Sequence, residues 1–279
     1  MRDAFMRGRV FRIALVVIAF AAAAAIAIGD VARRAASRKL REAILAELQP
    51  VVLKNCTLKR FGSANDGGYL MCENLIEPLD AAYSYGVGPN DDWACEVSRR
   101  YHVPVHQYDC FDPARPTCNG GKFVFHDECV GDHSYHSGSH LFDTLENQIS
   151  KNGDTGRRLI IKMDIEGAEW DSLLAAPEEL LASIPQITME MHGFDDPKIV
   201  EALRKLKRNF YLVNLHFNNW SCTPKAAPLP AWAYQTHWVN KRIGVPDSAA
   251  PFPAPMNSLN APDSPTTPDC QLPSPRAKL

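Results

Sequence analysis

Several short stretches of this chain pair reactive side chains with turns that could present a ligand. One is Lys162-Met163-Asp164-Ile165-Glu166-Gly167-Ala168-Glu169-Trp170. Asp164 and Glu166 are two residues apart, so in extended backbone they share a face. Such a pair can position a hydroxyl, hold a cation or accept a proton. The plainer alternative is a capped loop, with Glu169 at a helix start and Asp164 accepting backbone N–H bonds. Met189-Glu190-Met191-His192-Gly193 and Leu215-His216-Phe217-Asn218-Asn219-Trp220 each follow an apolar run and should emerge at strand ends. Glu190, His192 and His216 near Asp164 would suit general-base chemistry or a metal. Their spacing matches no recognised metal motif, so no metal site is assigned, and a lone histidine is more often structural.

Two glycine motifs accompany them. Tyr85-Gly86-Val87-Gly88-Pro89-Asn90-Asp91-Asp92 follows an apolar run, and Asp109 ends the next one. A glycine turn after a strand lets backbone approach a ligand, and an acidic residue about 20 positions later can bind a ribose diol. By itself the turn could equally be a tight strand-to-helix connection. Asp91 stands where a third glycine would complete a dinucleotide fingerprint. That weakens the case for a pyrophosphate ligand, and S-adenosylmethionine (SAM), which has none, fits better. Phe61-Gly62-Ser63-Ala64-Asn65-Asp66-Gly67-Gly68-Tyr69 is a strong turn signal, read as a hairpin whose Asp66 could join the cofactor rim.

The elements that must position these residues alternate. Strands are expected at Ala81–Tyr85, Val103–Tyr108, Lys122–His126, Leu159–Met163, Gln186–Glu190, Phe210–Leu215 and Thr236–Asn240. Helices are expected at Asp91–Arg100, Leu141–Ser150, Trp170–Leu181 and Pro197–Arg208. This alternation predicts an α/β fold, a doubly wound and mostly parallel sheet with ligands at the carboxyl ends of its strands. The polar stretch from His126 to His140 reads as a solvated loop, and Trp220, Trp232, Tyr234 and Trp238 read as core in preference to a substrate wall.

Apolar residues make up 46% of the 279 and charged residues 22%, with a net charge of −2, so nothing points to nucleic acid. Ile13–Ile28 is an uninterrupted apolar run between arginine clusters, near the short end of the roughly 17–25 residues that span a bilayer. Residues 1–30 are read as a single-pass membrane anchor, with a cleaved signal peptide as the competing reading because Ala25 and Ala27 resemble a cleavage site. Basic residues on both flanks leave the orientation open. Residues 31–50 follow as a juxtamembrane helix ended by Pro50, and the folded domain spans 51–243. Residues 244–279, rich in Pro, Ser, Ala and Asp, read as a disordered tail. Eight cysteines without a C-x-x-C pair argue against structural zinc. Their even count permits disulfides whose pairing cannot be read.

The order Asp-Gly-Gly-Tyr (66–69), Tyr-Gly-Val-Gly (85–88), Tyr-Asp (108–109) and Lys-Met-Asp-Ile-Glu-Gly-Ala-Glu-Trp (162–170) resembles the methyltransferase-like proteins related to FkbM methyltransferases. The resemblance covers roughly residues 55–243. It implies a class I SAM-dependent methyltransferase (Rossmann-like) fold with a seven-stranded sheet. It implies SAM contacts at Gly86, Val87, Gly88 and Asp109, with Asp164 and Glu166 on the substrate side. The second strand ends Tyr-Asp-Cys-Phe-Asp-Pro and so offers two acidic residues, of which Asp109 directly closes the apolar run. The expected reaction is O-methylation of a hydroxylated acceptor, with His192 or Asp164 as base and Glu190 or Glu166 orienting it. The rivals are a membrane-anchored nucleotide-sugar glycosyltransferase and a SAM-binding domain without activity.

Overall fold

The computed structural model describes residues 29–112 and 114–270. The apolar run Ile13–Ile28 lies outside them. Among the described residues no helix is long and apolar enough to cross a membrane.

Residues 29–47 form helix α1, ending just before Pro50. A hairpin follows, β1 (Leu58–Gly62) and β2 (Gly68–Cys72), turning through Asp66 and Gly67. Then come β3 (Ala81–Tyr85), α2 (Asp92–Tyr101), β4 (Pro104–Tyr108) and β5 (Lys122–His126). Three short strands, β6 (Cys129–Val130), β7 (Tyr135–Ser137) and β8 (His140–Asp143), make a small separate sheet. The rest is α3 (Leu145–Lys151), β9 (Leu159–Met163), α4 (Glu169–Ala175), α5 (Glu178–Ser183), β10 (Gln186–His192), α6 (Pro197–Asn209), β11 (Phe210–Phe217) and β12 (Ala233–Asn240).

The main sheet has seven strands in the order β11-β12-β10-β9-β3-β4-β5. Its pairings are parallel except those of β12, which runs antiparallel to both neighbours. From β3 the chain winds outward through β4 to β5, then crosses back to β9 on the other side. The β3–β9 border is therefore the switch point at which open α/β sheets hold ligands.

Alternation along the strands sorts the core into two faces. Ala81, Tyr83, Tyr85, Leu159, Ile161, Met163, Ile187, Met189 and Met191 pack against α1, α3, α4, α5 and α6. Ala82, Val105 and Ile160 pack on the opposite face, against Trp93 and Val97 of α2 and Phe61, Tyr69 and Met71 of the hairpin. Lys162, Asp164, Glu190 and Gln235 have the parity of this second face. Their polar ends thus meet the hairpin rather than the helical layer.

Local chemistry explains the departures from the expected elements. Trp170–Leu181 is two helices because Pro177 drives Ala176 out of helical geometry, to φ −58° and ψ 131°. The expected helix at Leu141–Ser150 begins only at Leu145, where the Thr144 side chain accepts a bond from Asn147 N, and the residues before it join β8. The stretch from His126 to His140 is not wholly loop, since it contributes β6 and β7, although β7 lies at the surface. Either Asp195 or Asp196 could cap α6 by sequence; Asp196 does so, with Pro197 in the first turn.

Two expectations about the periphery change. All eight cysteines pair, as Cys56–Cys72, Cys95–Cys118, Cys110–Cys129 and Cys222–Cys270. The tail is not detached through residue 270. Lys54 N donates to Val245 O, Asn65 Nδ2 to Pro262 O, and Asn219 Nδ2 to Ser264 O and Thr267 O. Asp263 and Ser264 are buried. The composition lacks apolar bulk, but a disulfide and side-chain amides of the domain satisfy the tail backbone instead.

Candidate functional site

The chemistry-bearing residues gather at the carboxyl ends of the parallel strands. Gly86, Asp109, Asp164 and Glu190 each follow a registered residue, Tyr85, Tyr108, Met163 and Met189, that pairs with its neighbour across the sheet. Gln235 pairs with Glu190 and His216 with Gln235, which extends the row to the far edge.

A cleft of about 250 Å³ opens at the switch point, lined by Asp66, Gly67, Gly86–Asp92, Lys162 and Asp164. Gly86 has φ +74°, and a Cβ built on it would lie 1.6 Å from the Asp164 carbonyl oxygen. Only glycine lets the two strand ends approach this closely. Gly88 differs, because a Cβ there would meet nothing within 4 Å and would project into open space.

Asp109 closes the turn rather than lining the cleft. Its Oδ2 accepts from Val87 N at 2.9 Å, and its Oδ1 accepts from Phe111 N and Asp112 N, each at 2.9 Å. Asp91 is a helix cap, accepting from Ala94 N and from Gln107 Nε2. The buried Lys162 ammonium donates to Gly86 O and stands 3.8 Å from Asp164 Oδ2. Tyr69 of the hairpin donates its hydroxyl to that same Oδ2 at 2.9 Å. Burial, then the Asp164 and Glu190 charges, push the Tyr69 phenol well above its usual range, so it remains a donor.

The second group surrounds His192, which is buried at 7% exposure. Its Nδ1 lies 2.9 Å from Glu169 Oε1. Its Nε2 faces Glu190 Oε1 at 3.6 Å, Glu166 Oε2 at 3.7 Å and Asp164 Oδ1 at 3.9 Å. Burial disfavours the imidazolium. The hydrogen bond to Glu169, the nearby Glu190 carboxylate and the charges of Glu169 and Asp164 outweigh it and raise His192 to about 10. A histidine so surrounded carries a proton at neutral pH unless another cation replaces it. This disfavours the expected general-base role for His192. Glu190 is buried and held by Asn218 Nδ2 at 2.7 Å. Glu166 is exposed, in the left-handed region at φ +56°.

Asp66, at the exposed hairpin tip, gathers with Glu190 and the tail's Asp263. Asp263 accepts from Gln235 Nε2 at 2.8 Å. Burial, with the Glu190 and Asp66 charges, raises its carboxyl to about 7. His216 does not join the His192 group. Its Nε2 lies 3.4 Å from Asp269, and it lines a separate, mainly apolar cavity of about 900 Å³ between α1, β11 and the tail. Burial lowers its pKa. Two strands of lateral separation put it out of reach. Of the four aromatics, Tyr234 and Trp238 are core, whereas Trp220 and Trp232 are exposed on the rim, Trp232 beside His192.

Glu169 opens α4, as the capped-loop alternative has it, but its bond to His192 was not foreseen. Tyr69, Lys162 and Asn218 lie within motifs quoted from the sequence but were given no role there. Gln235 and Asp263 carried no signal and arrive from β12 and the tail by tertiary packing. No protein-family model matches the chain, and no curated protein matches it.

Proposed function

We propose that this chain is a SAM-dependent methyltransferase of class I architecture that methylates a hydroxyl group. The observation that carries the reading is the charge of the switch-point cleft. Asp66, Asp92 and Asp164 line it against a single ammonium, Lys162. Carboxylates favour a sulfonium cation and oppose a pyrophosphate. The seven-stranded sheet with its reversed last strand supports the same reading, as does the resemblance of the Asp164 and Gly86 motifs.

In this reading SAM lies along the Gly86–Gly88 turn. Its ribose would reach past the turn to Asp109, where one acceptor site of Oδ2 is left after the bonds from Val87, Phe111 and Asp112 N–H groups. Its amino-acid carboxylate meets Lys162. Bound there, SAM would supply a sulfonium-activated methyl group to the acceptor oxygen and would leave as the neutral thioether. The hydroxyl proton passes to a carboxylate of the Asp164–Glu166 pair, and exposed Glu166 hands it to water. Alignment supplies most of the acceleration because the sulfonium is already activated.

A glycosyltransferase would want a metal-binding acidic motif, and Asp91-Asp92 serves poorly because it sits beside the glycine turn and Asp91 is a buried helix cap. A SAM-binding domain without activity stays the second reading, favoured by the backbone duties of Asp109. The membrane anchor at Ile13–Ile28 remains part of the proposal. Four disulfides favour an oxidising compartment for the domain.

Calorimetric titration of SAM and of UDP-glucose into the full-length protein in detergent micelles tests the reading. SAM is expected to bind alone, with micromolar affinity. Asp109→Ala should weaken it. Binding of the nucleotide sugar alone would overturn the proposal.

A further inference from the structure

We infer that Asp164, Glu190 and His192 form a site for a first-row divalent cation at the edge of the switch-point cleft. One ligand atom from each lies within 4.8 Å of the other two. The Nε2 separations, 3.6 Å to Glu190 and 3.9 Å to Asp164, are too long for hydrogen bonds. Donors about 2.1 Å from a shared ion stand roughly 3.0–3.4 Å apart, so the two Nε2 separations need to close by only about half an ångström.

The orientation of His192 is the independent observation. The residue is more than nine-tenths buried, yet Nε2 makes no hydrogen bond and points among the carboxylates. The other ring nitrogen is held by Glu169 Oε1. Metal-bound imidazoles are fixed in this way, with the far N–H given to a carboxylate. Glu169 has no solvent exposure, and its Oε1 also accepts from Ile165 N at 3.0 Å. The two carboxylate ligands are equally fixed, Asp164 by the Tyr69 hydroxyl and Glu190 by Asn218. The net charge of the group is negative: Asp164, Glu166, Glu169 and Glu190 converge on one imidazole, with Lys162 the nearby ammonium.

One imidazole with two carboxylates suits Mn²⁺ or Zn²⁺ better than Ca²⁺, which takes oxygen ligands. Three protein ligands leave positions for water or substrate oxygen. The ion's binding stands by itself; its use rests on the methyl-transfer reading. Asp164 lines the cleft, so an acceptor hydroxyl on the ion would face the sulfonium. Coordination eases loss of its proton, which Glu166 receives. The acceptors selected are then alcohols with a second oxygen placed to chelate.

The test is titration of MnCl₂ into the full-length protein in detergent micelles, followed by electron paramagnetic resonance of free and bound Mn²⁺. One tightly bound equivalent is expected, with nitrogen hyperfine coupling from an imidazole. His192→Ala should remove the coupling. Glu190→Gln, which keeps the side-chain shape, should weaken binding at least tenfold while the metal-free melting curve stays cooperative. Glu169→Gln, a positioning change, should weaken it by about 10–100-fold. Absence of binding below about 1 mM overturns the proposal. So does binding without nitrogen coupling that Glu190→Gln leaves unchanged. If Mn²⁺ binds and SAM does not, the cation site stands and the methyltransferase reading falls; SAM binding without Mn²⁺ overturns the cation site alone.

Discussion

Gly86 and Gly88 stand two residues apart in one turn, and alanine at each should fail in opposite ways. At Gly86 an added methyl would lie 1.6 Å from the Asp164 carbonyl oxygen, and even a 3.0 Å contact requires a retreat of about 1.4 Å. Holding alanine at φ +74° costs about 1–2 kcal/mol, and overpacking costs about 1–3 kcal/mol. The sum, about 2–5 kcal/mol, corresponds to a fall in Tm of roughly 4–20 °C for a domain of this size. At Gly88 the methyl meets no atom within 4 Å and the backbone is not left-handed, so stability should stay within about 0.5 kcal/mol. The methyl instead occupies the cleft and should weaken SAM binding at least tenfold, about 1.4 kcal/mol. Thermal denaturation and calorimetric SAM titration on both variants read the two effects separately. Unchanged stability of Gly86→Ala would refute the close-approach argument. Unchanged SAM affinity of Gly88→Ala would remove the ligand from this cleft.

Removing the Cys222–Cys270 bridge, which closes a 48-residue separation, should cost up to about 4 kcal/mol and expose residues 244–270 to limited proteolysis; a tail as resistant as before would show that its hydrogen bonds suffice. The native protein should show no maleimide-reactive thiol until reduced, because each cysteine is paired; labelling of the folded chain would contradict the pairing. Burial opposes ionisation of Asp143, but bonds from Lys151, Ser134, Asn147 and Thr144 N overcome it and hold the carboxyl down to about 2. A depressed folded value means that the contribution is complete above the unfolded pKa near about 3.9 and vanishes as pH falls toward 2. The stability gap between wild type and Asp143→Asn in urea should therefore close between about pH 4 and pH 2, and a gap independent of pH would sink the assignment.

Much of the site was legible because short-range rules governed it. The Asp164–Glu166 pair, the glycine turn and Glu190–His192 each lie at the end of an apolar run, and apolar runs in an alternating α/β pattern become parallel strands. Their ends must then converge on one side of the sheet. His216 obeyed the same rule and still missed, because the rule gives height in the sheet but not lateral order. With β12 inserted between β10 and β11, His216 lies two strands from Glu190 and faces another cavity. The tail was misread because composition measures apolar bulk and says nothing of a disulfide or of the amides of Asn65 and Asn219.

The amino-acid sequence by itself determined the strand and helix alternation, a glycine turn after the first strand of the sheet, and the acidic pair at a strand end. These depend on residues within a few positions of one another, where sterics and periodicity act directly. Tertiary structure alone decided what the pair faces. The Tyr69 hydroxyl comes from a hairpin nearly a hundred residues earlier, and Asp263 returns from the tail to meet Glu190 through Gln235. It also decided the protonation of His192, because a pKa answers to the summed field of Glu169, Glu190 and Asp164, and that field exists only once the Asp164–Glu169 segment has packed on the end of β10.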